Sequence, residues 1–120
     1  MSDSGATYDA KKNRVNLKMA GFFNAAQAQV VYDQLMVAVS KAQPGFTLMN
    51  DIREFKPAGD DVQAIIGKAM QQVSAKKPSK VARVAGALSG MQFGRIGKEK
   101  AGYEVGTFPS MEEAEKFLNE

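Results

Sequence analysis

The chain has 120 residues, 44% of them apolar and 24% charged, with a formal net charge of +3. That suits one soluble globular domain and is too short for two independent cores. With no cysteine and no histidine, disulfides, thiol chemistry and a Ser-His-Asp triad are excluded, as are the commonest ligands of zinc, copper and nickel.

Met1–Gly5 is small and polar and reads as a disordered tail; residues 6–120 read as a single domain. Ala6–Asp9 suits a short strand. Lys11-Lys12-Asn13 is a turn in which Asn13 tolerates positive φ. Arg14–Ala20 alternates, with Val15, Leu17 and Met19 on one side and Asn16 and Lys18 on the other. This is a half-buried strand, and the two strands form a hairpin. Gly21 breaks the pattern, and Phe22-Phe23 is expected to enter the core. Asn24 with Gln27 is in capping-box register for a helix over Ala25–Lys41, whose buried face would be Ala28, Val31, Leu35 and Val39.

Pro44-Gly45 ends that connection. Phe46–Met49 reads as a buried strand that surfaces in Asn50-Asp51. Asp60 or Asp61 is expected to cap the next helix, which shows Val62, Ile65, Ile66, Ala69, Met70 and Val73 at helical spacing. It ends near Lys76-Lys77, before Pro78. Lys80–Ala85 reads as a second core strand. Leu88–Lys98 reads as a short, loose helix, weakened by its glycines. Tyr103–Phe108 is the last strand. Ser110 and Glu113 open a final helix with Met111, Ala114, Phe117 and Leu118 inward. The predicted order is β-β-α-β-α-β-α-β-α. Such alternation after a hairpin predicts an α/β fold: a mixed, mainly parallel sheet with covering helices, in two or three layers.

No apolar run approaches the roughly 20 residues that span a bilayer. The N-terminal stretch lacks the basic start and apolar core of a secretory signal. A cytoplasmic location is therefore expected.

Three segments carry a resemblance: Leu48-Met49-Asn50-Asp51-Ile52-Arg53-Glu54-Phe55, Lys80-Val81-Ala82-Arg83-Val84-Ala85, and Glu104 to Leu118, which includes Thr107-Phe108-Pro109-Ser110. In order and spacing they resemble the SpoIIAA-like family of STAS-like domains, a family also compared with lipid-binding CRAL-TRIO domains. The resemblance implies a STAS-like fold. Phosphorylated STAS antagonists carry a Ser or Thr where the core strand meets its helix. Here Asp51 to Asp61 contains neither, so that phosphate switch is not carried over.

Asp51, Arg53, Glu54 and Phe55 mark the strand exit. They read either as a local ion pair with Asp51 on nearby backbone N–H groups, or as the rim of a binding surface. Gly86, Gly90 and Gly94 read either as close-packing positions or as a flap over an apolar cavity lined by Leu88, Met91, Phe93 and Ile96. From Lys76 to Lys100 seven basic residues face one acid. Lys76, Lys77, Lys80 and Arg83 are therefore candidates for an anion patch, or for an ordinary solvated surface. Nucleic acid is disfavoured because exposed aromatics are few. No catalytic residue, metal or cofactor is expected. The expected function is a non-catalytic regulatory or protein-interaction module, with a protein or a second copy as partner. The alternative is a carrier of a lipid or other apolar ligand.

Overall fold

The computed structural model describes residues 4–55, 59–85, 96–98 and 104–120. Its strands are β1 (Gly5–Asp9), β2 (Arg14–Gly21), β3 (Thr47–Phe55), β4 (Lys80–Val84), β5 (Ile96–Lys98) and β6 (Glu104–Phe108). Its helices are α1 (Ala25–Lys41), α2 (Asp60–Ala75) and α3 (Met111–Asn119). The strands form one sheet in the order β1-β2-β3-β4-β6-β5. The inner pairs β2·β3, β3·β4 and β4·β6 are parallel, and the two edge strands are antiparallel to their neighbours. The chain is thus an α/β domain with a mixed, mainly parallel sheet and an N-terminal hairpin.

Alternation along the strands builds two cores. Val15, Leu17, Leu48 and Val81 point to one face, where they pack against Val31, Leu35 and Val39 of α1 and Val62, Ala69 and Val73 of α2. Met49, Ala82 and Val84 point to the other face, where Ala114, Phe117 and Leu118 of α3 cover them. The domain has three layers. Local chemistry sets the helix starts. In α1 Asn24 accepts the Gln27 N–H at 2.9 Å, and Gln27 accepts the Asn24 N–H at 3.0 Å. Ser110 accepts the Glu113 N–H at 3.3 Å, but the box there is half formed: the Glu113 carboxylate takes the Ser110 hydroxyl proton, not a backbone N–H.

Several expectations are corrected. β1 starts at Gly5, so Gly5 belongs to the sheet and not to a tail, and the Ser4 hydroxyl beside it accepts the Ala20 N–H at 2.9 Å. Gly59, not Asp60 or Asp61, is the N-cap of α2, and it makes no side-chain cap bond. The Asp61 carboxylate takes the N–H of its neighbour Val62 instead. Phe23 enters the core but Phe22 is 76% exposed. Gly21, at φ +75°, turns the chain at the end of β2, and of the two phenylalanines that follow only Phe23 is buried. Ile96–Lys98 is a strand paired with Val105 and its neighbours, not the end of a helix. The remainder of the expected helix, Leu88 to Arg95, lies outside the described residues, as do Gly86, Gly90, Gly94, Met91 and Phe93.

Candidate functional site at the end of β3

β3 runs six residues further at its carboxyl end than the expected Phe46–Met49 segment, to Phe55, and it begins one residue later. Its pairing with β4 stops where Asp51 meets Val84. Its pairing with β2 continues through Ala20↔Glu54 and Gly21↔Phe55. Between the pairs Lys18↔Asp51 and Ala20↔Glu54 the register shifts, because three steps on β3 match two on β2. This extra residue is a bulge, and bulges re-aim side chains. Ile52 and Phe55 both reach the α1–α2 core, three residues apart. Phe55 meets Phe23 edge to face, with ring centroids 5.5 Å apart. Arg53 and Glu54, between them, are turned to solvent.

Asp51 is the buried member of this group, at 6% exposure. Its carboxylate is gripped from one side chain and its own strand. The Arg53 Nε donates to Oδ1 at 3.0 Å and an Arg53 terminal nitrogen donates to Oδ2 at 2.9 Å. The Arg53 backbone N–H adds a bond to Oδ1 at 3.2 Å. Burial pushes the Asp51 carboxyl up, but the Arg53 side-chain and backbone bonds, with the charges of Arg53 and Lys18, outweigh it and hold the group below the usual aspartate range. Arg53 is raised in turn, chiefly by its bond to Asp51.

A carboxylate held ionised, with both oxygens engaged by a guanidinium, is a poor proton acceptor. The group is built for geometry and charge presentation. Removing it has a defined cost. Asp51→Asn is expected to lower stability by about 1–2 kcal/mol at neutral pH, the worth of a charge-assisted pair. Because the folded value is depressed, this stabilisation is complete above the unfolded aspartate value and disappears as pH falls through the folded one. Urea titrations of wild type and variant should therefore converge at acid pH, and a gap independent of pH would contradict the assignment.

The other candidates are scattered. The Lys80 Nζ donates to the carbonyls of Phe117 and Glu120, both at 3.0 Å, and lies 5.0 Å from the Phe117 ring centre. It closes the carboxyl end of α3, where orphan carbonyls favour a cation. Arg83 follows on the opposite face of β4, in register with Asn50. Lys76 is the C-cap of α2, and Lys77 turns out of the helix at φ 57°. These four do not converge on one anion site.

Further spaces border the sheet. A groove of about 430 Å³ lies on the α3 side beside β1 and β2, lined in part by Thr7, Asn16, Lys18, Met49, Asp51 and Met111. The apolar cavity between α1 and α2 is only about 10 Å³. That is room for no more than a water, whereas small-molecule pockets run to about 300–1,000 Å³. It gives a lipid carrier no support. Among the described residues no cluster of three His, Cys, Asp or Glu could hold a metal ion, and no helix is long and apolar enough to cross a membrane.

Residue reasoning missed Phe22, which among the described residues is the most exposed large apolar side chain. Its signal was the neighbouring Gly21, which puts one of two consecutive phenylalanines outside. Comparison of the chain with protein-family models, curated proteins and solved structures found no match.

Proposed function

We propose that the domain is a non-catalytic, STAS-like regulatory module that acts in the cytoplasm by binding another protein. Its recognition surface is the ridge at the carboxyl end of β2 and β3. One observation carries this reading. Phe22, 76% exposed, sits one residue beyond the Gly21↔Phe55 pair, on the same ridge as the solvent-facing Arg53 and Glu54. Aromatic residues and arginine dominate the energetics of protein interfaces. Arg53 is also held rigid by Asp51, so little side-chain freedom is lost when a partner docks. The phosphate switch of STAS antagonists has no hydroxyl to act on between Asp51 and Asp61, so recognition here is constitutive.

The test compares proteins retained from a cell lysate by immobilised wild type and by Phe22→Ser/Arg53→Glu. The double variant is expected to lose a specific partner by tenfold or more, as removal of two anchors implies. Phe22 is solvent-exposed, so Phe22→Ser alone should leave thermal stability nearly unchanged. Equal retention by both proteins would overturn the reading.

A further inference from the structure

α1 carries only two charged side chains in its 17 residues, Asp33 and Lys41. The rest of its outer face includes Ala26, Gln29, Val30, Gln34, Val37 and Ser40, all exposed. Val30 and Val37 are each 56% exposed. By contrast the nine-residue α3 carries Glu112, Glu113, Glu115 and Lys116. A face turned only to water has no reason to shed charge, whereas the centres of interfaces are depleted of it. Ala26, Val30 and Val37 follow one stripe at spacings of four and seven.

The two charges fall in a particular pattern. Asp33 lies four residues before Val37 and Lys41 lies four residues after it, with opposite sign. Two α1 helices packed antiparallel about a two-fold axis through Val37 place each Asp33 opposite Lys41 of the second copy. The surface is thus complementary to itself, as an isologous interface requires. A groove of about 380 Å³ runs beside Val37, between α1 and the edge strand β1, with Thr7, Tyr8, Gln34 and Lys41 also in its walls. It offers space for the side chains of the opposing helix. Strand addition at the β1 edge is obstructed, because the Gln34 Oε1 already accepts the Ala6 N–H at 3.1 Å.

We propose that the outer face of α1 joins two copies of this chain in a symmetric dimer, helix on helix, centred on Val37 with reciprocal Asp33–Lys41 pairs. The helix is about 25 Å long at 1.5 Å per residue. Its face buries less than a standard interface of about 1,600 Å², which makes the dimer weak and reversible.

Sedimentation velocity on the whole chain, from about 10 µM to 1 mM, spans the range of such weak association. Wild type is expected to shift from monomer towards dimer across the series. Asp33→Lys and Lys41→Asp each set like charges face to face twice in the dimer, and each should weaken association by about tenfold. The combined Asp33→Lys/Lys41→Asp variant should restore it, because the pairs re-form with reversed polarity. Val37→Glu should abolish it. All three positions are exposed, so folding is not at stake, and circular dichroism verifies this. A wild type that stays monomeric overturns the proposal. So do single reversals without effect, or a double reversal no better than the singles. Phe22→Ser is expected to leave the dimer intact, which separates this surface from the ridge at the end of β3.

Discussion

Replacing Arg14 with alanine is expected to lower the stability of the domain by about 3 kcal/mol, the sum of lost charge-assisted hydrogen bonds and lost packing of the side-chain stem. Arg14 is 3% exposed, although it opens a strand at the end of a hairpin turn. Its side chain lies beneath α3. The Nε donates to the Thr47 hydroxyl at 2.9 Å, one terminal nitrogen to Glu115 at 2.9 Å and the other to the Asn119 side chain at 2.8 Å. One residue thus ties β2, β3 and the last helix together. Its loss leaves the Thr47 hydroxyl, itself buried, without its donor. Lys12 also reaches Glu115, at 2.6 Å, but its side chain is 48% exposed. Lys12→Ala should therefore cost under about 1 kcal/mol. Urea unfolding of the two variants decides the matter: equal midpoints would mean that the buried guanidinium contributes no more than a surface pair. For a domain of this size a loss of about 3 kcal/mol lowers the melting temperature by roughly 10 °C.

The same network has an acid dependence. The Lys12 hydrogen bond, working against burial and reinforced by the charges of Lys12 and Arg14, holds the Glu115 carboxyl below the usual glutamate range. A depressed folded value means stability that is present above the unfolded glutamate value and lost as pH falls through the folded one. The docking of α3 therefore weakens on acidification, in the same direction as the Asp51–Arg53 pair.

What the sequence disclosed followed the range of each interaction. The caps of α1 and α3 act over three residues, so Asn24-Gln27 and Ser110-Glu113 could be read directly. Positive φ at Asn13, found at 50°, was legible for the same reason. The hairpin and the parallel core strands were legible from alternation. The Arg14–Glu115 contact spans 101 positions, and no periodicity marks it. A lone arginine at a strand start looks like a surface residue. β5 was read as helix because apolar residues among glycines matched a helical spacing, while its partner Glu104–Val105–Gly106 could be identified only in the folded sheet. At the end of β3 the apolar run Phe46–Met49 gives way to Asn50-Asp51, which reads as the strand surfacing. The strand in fact continues past a bulge, which moves the inward positions to Ile52 and Phe55. The spacing of three between these apolar residues was the available trace of that bulge. It explains why Asp51, Arg53 and Glu54 form both a local ion pair and an exposed rim: Asp51 precedes the bulge, and the other two side chains ride on it.

Replacing Asn50 with valine is expected to stabilise the domain by about 1–2 kcal/mol, the part of an unsatisfied acceptor's penalty that a non-polar side chain removes. Asn50 is 5% exposed at the centre of the sheet, in register with Leu17 on one side and Arg83 on the other. It shares a face with Leu48 and Ile52, which both belong to the α1–α2 core. Among the described residues its Oδ1 is the buried side-chain oxygen that has no hydrogen-bond partner. Asparagine is also a poor strand former, and valine a good one. Asn50→Asp should do the reverse, since it buries a charge where the amide oxygen already lacks a donor. Denaturant midpoints for the two variants give opposite signs if this account holds, and a destabilising valine would refute it. A residue that lowers stability one step before Asp51, where β3 is last paired on both sides, also separates two demands on this segment. If Asn50→Val is more stable and still retains the partner bound through Phe22 and Arg53, the asparagine is a tolerated defect of a domain with stability to spare. If it is more stable and the partner is lost, Asn50 sets how the end of β3 leaves the sheet, and the recognition ridge depends on that unsatisfied amide.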